Sequence, residues 1–209
     1  MEWYLENVYE IKAQAPYTFY VPSKEVIGRL KRGDIVKLIF SAPEGKDGFA
    51  GERMWVEITE RTGDDFKGVL ANEPFIVESL EVGDEITFAV EHVCDTEYED
   101  PDAEDLDAYF DTKILVSNDV LEREEFNFML RDHADEPEDS GWTVMSGFED
   151  DEALNNPEEY QYISIGKVLN IDASILAFIQ DEPLCAYERN EEGAFIKIED
   201  YDWDAYLNE

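Results

Sequence analysis

Apolar and polar residues alternate most clearly in two stretches, Glu52–Thr59 (ERMWVEIT) and Glu85–Val93 (EITFAVEHV). A period of two sends successive side chains to opposite faces of a strand, so both predict half-buried strands. Asp34–Phe40 (DIVKLIF), Asp65–Ala71 (DFKGVLA) and Phe75–Glu78 share the β-branched and aromatic make-up of strands. Tyr17–Val21 (YTFYV) predicts a further short strand, ended by Pro22. Ser23 stands as N-cap before one or two helical turns in SKEVIGRL. Turns follow from RTGDD at 61–65 and ANEP at 71–74. One pattern occurs twice: LKRGDIVKL from Leu30 and LEVGDEITF from Leu80. In each, glycine can take the positive φ of a turn, and the aspartate beside it can bond the backbone where the strand begins. The flanks differ, so this reads as one turn chemistry used twice in a small sheet.

The second half is less regular. Lys113–Ser117 (KILVS) predicts a strand followed by a turn at Asn118–Asp119, and Phe126–Leu130 (FNFML) a second strand. Asp139–Tyr160 has glycines, acids, two Asn and no Lys or Arg, and reads as a loop that ends in a short helix over EDDEALNN, stopped before Pro157. Residues 163–180 begin like a strand and predict a helix around Ala173–Ile179. Asp172 would be its N-cap, and Ile175, Leu176 and Ile179 would face the core. Leu184–Arg189 and Ala194–Ile198 predict a hairpin across NEEG, and the tail YDWDAYLNE either docks or frays. The fold class is α+β. Residues 1–93 form a strand-rich domain, a bent sheet or small barrel. Residues 94–112 are an acidic linker or short helix, within which DAEDLDAYF docks Leu106, Tyr109 and Phe110. Residues 113–209 form an acidic α+β domain.

Charge changes the picture more than length does. The 209 residues have a net charge of −37, unevenly spread. Residues 1–93 carry 18 acids and 10 bases; residues 94–209 carry 35 acids and 6 bases. A phosphate chain or an anionic membrane surface would be repelled by the second half, whereas a cationic partner would be drawn to it. Aromatic residues make up 13% of the chain, too many for an acidic disordered polymer. No apolar run reaches the roughly 18 residues of a membrane span, and the N-terminus has no basic or apolar leader, so the chain reads as cytoplasmic. Cys94 and Cys185, each beside apolar residues, read as free buried thiols.

Catalytic motifs are sparse. The sequence offers no phosphate-binding loop, no nucleophile elbow and no zinc-protease helix, and it points to no cofactor. His92 and Cys94 have no second pair at zinc spacing, and His133 reads as solvated. Asp100, Asp102 and Glu104, with Asp111 beyond, imitate the start of a calcium loop, but Asp105 stands where the sharp turn needs glycine. No metal site is expected.

The second half contains KILVSNDVL (113–121), FMLRD (128–132) and DSGWTVMSGFEDDEALNNPEEYQY (139–162). These resemble the bacterial family of unknown function numbered 2185, an immunity-protein-33-like group of polymorphic-toxin antidotes. Asp139, Ser140, Gly141, Trp142, Ser146, Gly147 and Glu149 carry the resemblance, which spans roughly 113–198. Asp132 stands where that family usually has glutamate. The resemblance implies a non-catalytic immunity protein that binds a toxin domain of a neighbouring or sibling cell. Residues 51–93 resemble a second bacterial family of unknown function, numbered 2314. Glu52–Val56, Gly68–Pro74 and Leu80–Ile86 match its three motifs, and the Asp-Trp pair that often follows its last strand is missing. That family has no assigned chemistry.

The expected mechanism is occlusion of a cationic toxin domain, such as a nuclease, by the acidic face of the second half. Asp139, Trp142, Glu149, Asp150, Asp151 and Glu152 are the candidate partner-binding residues. For Trp142 a core position competes with an interface anchor. For the acids, a solvated helix start competes with a cluster that meets Arg and Lys. An enzyme or small-ligand domain, and an acidic mimic of nucleic acid, stand as alternatives, and the sequence fixes no oligomeric state.

Overall fold

The computed structural model describes residues 3–46, 49–103 and 106–207. The chain divides into two units, Met1–Asp105 and Leu106–Glu209, both built on a six-stranded sheet. The fold is α+β, as the pattern predicts.

The first sheet is a curled half-barrel. Its long hairpin is β2 (Ile35–Lys46) with β3 (Phe49–Thr62), followed by β4 (Asp65–Leu70) and β5 (Glu85–Ala89). β1 (Tyr4–Leu5) and β6 (Val93–Thr96) share the far edge of β2. Val36, Leu38, Phe40, Met54, Val56, Ile58 and Ile86 fill the concave side and are fully buried. Helices α1 (Val8–Gln14) and α2 (Lys24–Arg29) are capped by the side chains of Asn7 and Ser23. Arg61 closes the other end of α2 by donating to the carbonyls of Ile27 and Leu30.

The twice-used turn is one device. Gly33 and Gly83 both have positive φ, +89° and +94°. The carboxylates of Asp34 and Asp84 accept from the N–H three residues earlier, at Lys31 and Glu81. Each turn then docks on a strand residue by a reciprocal pair of bonds, Gly33 and Asp34 with Ile58, Gly83 and Asp84 with Leu70.

Three expectations in this unit are corrected. Tyr17–Val21 is not a strand, because Thr18 and Phe19 donate back to Ala15 as the chain turns out of α1. Phe75–Glu78 is not one either, because the Glu52 carboxylate takes the N–H groups of Phe75, Ile76 and Val77 that a ladder would need. Glu85–Val93 is interrupted after Ala89 by a single 3₁₀ turn, Val90–His92, with His92 Nδ1 accepting from the Ala89 N–H.

The acidic stretch after β6 is tied down at Asp100. Its carboxylate accepts from the Tyr20 hydroxyl and the Ser23 N–H, both at 2.6 Å. Burial opposes ionisation there, but those donors outweigh it and hold the carboxyl at about 2. A folded-state value below the unfolded one adds stability at neutral pH, lost as pH falls towards 2. Asp100→Asn is expected to cost about 0.5–1 kcal/mol at pH 7 and progressively less as pH falls towards and through 2, read by urea titration of the first unit.

The second sheet runs β10 (Tyr160–Ser164), β7 (Lys113–Ser117), β9 (Asp139–Met145), β8 (Phe128–Arg131), β11 (Cys185–Arg189), β12 (Phe195–Lys197). All pairs are antiparallel except β7 with β9. Register separates the faces. Val116, Val144, Met129 and Tyr187 form one buried row, with Trp142, Ile114 and the helical residues Val120, Val168, Leu169 and Ile175 also in the core. Tyr162, Leu115, Thr143, Leu130 and Ala186 form the opposite row, across five strands.

Here too the pattern is amended. Asp139–Met145 is an inner strand and not a loop. Asn118–Asp119 opens helix α4 (Asn118–Arg123) instead of a turn, because Ser117 caps the Val120 N–H and Asp119 pairs with Arg123. The segment from 163 holds an unexpected helix, α6 (Ile165–Ile171). Asp172 does cap the next element, but Ala173–Ala177 is 3₁₀, so its period of three buries Ile175 and leaves Leu176 exposed. Short helices α3 (Asp107–Asp111), α5 (Asp151–Leu154) and α7 (Trp203–Tyr206) complete the unit. In the first of them Phe110 is exposed, and Leu106 alone of the three expected anchors is buried. Both cysteines are free and buried, and burial pushes the Cys94 thiol up to about 11.

Candidate functional site

The residues that carry the family resemblance hold the second unit together. Asp139 accepts from the N–H groups of Gly141 and Asp135, and Ser140 Oγ from the Trp142 N–H. Gly141 has φ +72°, and the Asp132 carbonyl oxygen lies 2.3 Å from where a Cβ would sit. The Ser146 hydroxyl donates to Asp119 at 2.5 Å and accepts from the Phe148 N–H. Glu149 receives the Ser117 hydroxyl and the N–H groups of Ser146 and Gly147.

Trp142 is 1% exposed, and its indole N–H donates to the Ile179 carbonyl at 3.4 Å. It fills the core, so the exposed-anchor reading of this residue is corrected. Of the other candidates, Asp150 caps α5 through the Ala153 N–H, and Asp151 and Glu152 are exposed on that helix. Asp139 lies on the rim of a groove that the sequence did not reveal.

That groove follows the open face of the sheet, where the tail crosses it. It consists of two adjoining depressions, of about 460 and 490 Å³, which share Leu115, Thr143 and Tyr206. The first is acidic, with Asp132, Asp135, Glu136 and Asp139 beside Tyr162. Among the described residues, the second has no charged side chain in its lining, which includes Leu130, Met145, Leu154, Pro157, Tyr160 and Tyr201. Tyr162 and Leu154 are 50% and 46% exposed. The tail is braced by its own rings: Tyr201 packs on Phe128 and Trp203, and Trp203 meets Tyr206 edge-on at 5.5 Å.

The electrostatics are one-sided. Burial first, then a hydrogen bond to Asp139 and the nearby Glu138 and Asp135, push the Tyr162 hydroxyl up to about 12. Burial and Asp132 raise Tyr206 likewise. The unit's arginines are engaged elsewhere: Arg123 with Asp119, Arg189 with Asp172, and Arg131 with the carbonyls of Ser140 and Ile179. Among the described residues, no cationic nitrogen lies within ion-pair distance of Asp132, Asp135, Glu136 or Asp139. Also among them, no group of three His, Cys, Asp or Glu is arranged to hold a metal ion. Of the calcium-like stretch, Glu104 lies outside the described residues, and Asp100 is engaged as above.

The alternation Tyr160-x-Tyr162 was the available signal for the groove, since it puts both rings on one face of a strand. The tail aromatics carried no register that would have joined them to it.

Residues 114–199 match the immunity protein Imm33 domain. The match lies wholly within the second unit and almost coincides with the stretch that resembles the family numbered 2185; the matching model bears the Imm33 description. Residues 12–110 match an uncharacterized protein conserved in bacteria, DUF2314, a span that begins well before the 51–93 stretch that carried the resemblance. No curated protein and no solved structure matches the chain. No helix among the described residues is long and apolar enough to cross a membrane.

Proposed function

We propose that the chain is a bacterial immunity protein that neutralises a cationic toxin domain by binding it, without chemistry of its own, through the acidic surface of the second unit. The match of residues 114–199 to the Imm33 immunity domain carries this reading. The charge supports it: the second unit's three arginines are held by Asp119, Asp172 and backbone carbonyls, while Asp151 and Glu152 stand exposed. A toxin that acts on nucleic acid would present the complementary cationic cleft. On this reading Asp150, Asp151 and Glu152 extend the acidic surface.

The test is capture of the toxin domain encoded beside this chain, with association followed against salt. Steered association falls steeply with ionic strength. Asp151→Lys with Glu152→Lys is expected to slow association several-fold at low salt and far less at high salt. Binding that ignores both salt and these reversals would refute the acidic-surface mechanism.

A further inference from the structure

We propose that the two depressions on the open sheet face seat an arginine-bearing segment of the partner protein, its guanidinium in the acidic end and an apolar neighbour in the other. The toxin-binding reading supplies only the identity of that partner; the chemistry of the seat comes from the groove. At one end Asp132, Asp135, Glu136 and Asp139 line one depression with Tyr162, Tyr206 and His133, and no lysine or arginine is among the described residues that line it. Like charges held together in a concave surface repel each other, and a bound cation relieves that repulsion. The half-exposed Tyr162 ring offers a π face beside them. A planar guanidinium can stack on such a ring while donating two bonds to a carboxylate, which a lysine ammonium cannot do.

At the adjoining end Leu154 and Pro157 are exposed, with the half-buried Met145 beside them. An extended segment places residues i and i+2 on one side, about 7 Å apart. An arginine two positions from an aliphatic residue therefore addresses both ends at once. An acidic segment would be repelled at the first end, and a purely apolar one would leave the carboxylates uncompensated.

The experiment titrates the full chain with acetyl-Arg-Gly-Leu-amide, and with the same peptide bearing Lys or Glu in place of Arg, followed by amide chemical shifts. The expected result is saturable shifts at Tyr162, Tyr206, Asp135 and Leu154 with the arginine peptide. Binding should be about five-fold weaker with lysine and absent with glutamate. Tyr162→Ala combined with Asp135→Asn and Glu136→Gln is expected to weaken the arginine peptide about ten-fold or more while the remaining spectrum stays that of the folded chain. Equal binding of the arginine and lysine peptides, shifts spread over α5 and the first unit, or an unaffected triple variant would each overturn the proposal. A triple variant that holds the neighbouring toxin as tightly as the parent sinks the groove but leaves the immunity reading standing. Arginine-peptide binding in a chain that captures no toxin does the reverse.

Discussion

Gly141→Ala is expected to destabilise the second unit by at least about 3 kcal/mol. Two independent features act together. The backbone at 141 has φ +72°, which L residues other than glycine adopt only at a cost. The new methyl carbon would also lie 2.3 Å from the Asp132 carbonyl oxygen. That oxygen belongs to backbone anchored to the strand itself, since the Asp132 N–H donates to the Gly141 carbonyl. Nothing there can give way without pulling β8 from β9. Urea unfolding followed through Trp142, which follows Gly141 directly in the core, reports the loss. A change below about 0.5 kcal/mol would mean that the tight approach is not formed.

Glu149→Ala is the second large effect, about 2–3 kcal/mol at pH 7. Burial alone would raise the Glu149 carboxyl, but the Ser117 hydroxyl and the N–H groups of Ser146 and Gly147 lower it below its usual value. The sign follows directly. A carboxylate depressed in the folded state stabilises fully above its unfolded value, and that contribution drains away as pH falls through the folded one. The gap between parent and Glu149→Ala should therefore narrow below pH 4. Glu149→Gln keeps one acceptor and should lose less than the alanine variant at neutral pH. A parent–variant gap that stays constant from pH 7 to pH 3 would show that the carboxylate's charge does not matter.

These two residues show what the sequence could and could not convey. Ser23, Asp172 and the two Gly-Asp turns were legible because a cap or turn acts on backbone within three residues, so spacing alone exposes it. Asp139–Met145 was not. Its serine, glycine and aspartate suggest a loop when read singly, whereas its strand character comes from pairing with β7 and β8, which lie elsewhere in the chain. Phe75–Glu78 failed in the opposite direction: a strand-like composition was overruled by the distant Glu52. The acids Asp150, Asp151 and Glu152 were visible as charge, but the groove is lined jointly by Tyr160 and Tyr162 and by Tyr201 and Tyr206, which lie some forty residues further along the chain. No local pattern spans that separation.

The inward engagement of the signature residues has a consequence for how recognition can change. Asp139, Gly141, Trp142, Ser146 and Glu149 brace backbone or fill the interior, whereas Asp135, Glu136 and Tyr162 hold little of the fold together. A lineage could therefore rewrite the rim one codon at a time, retargeting the protein to a new adversary while its architecture stands still.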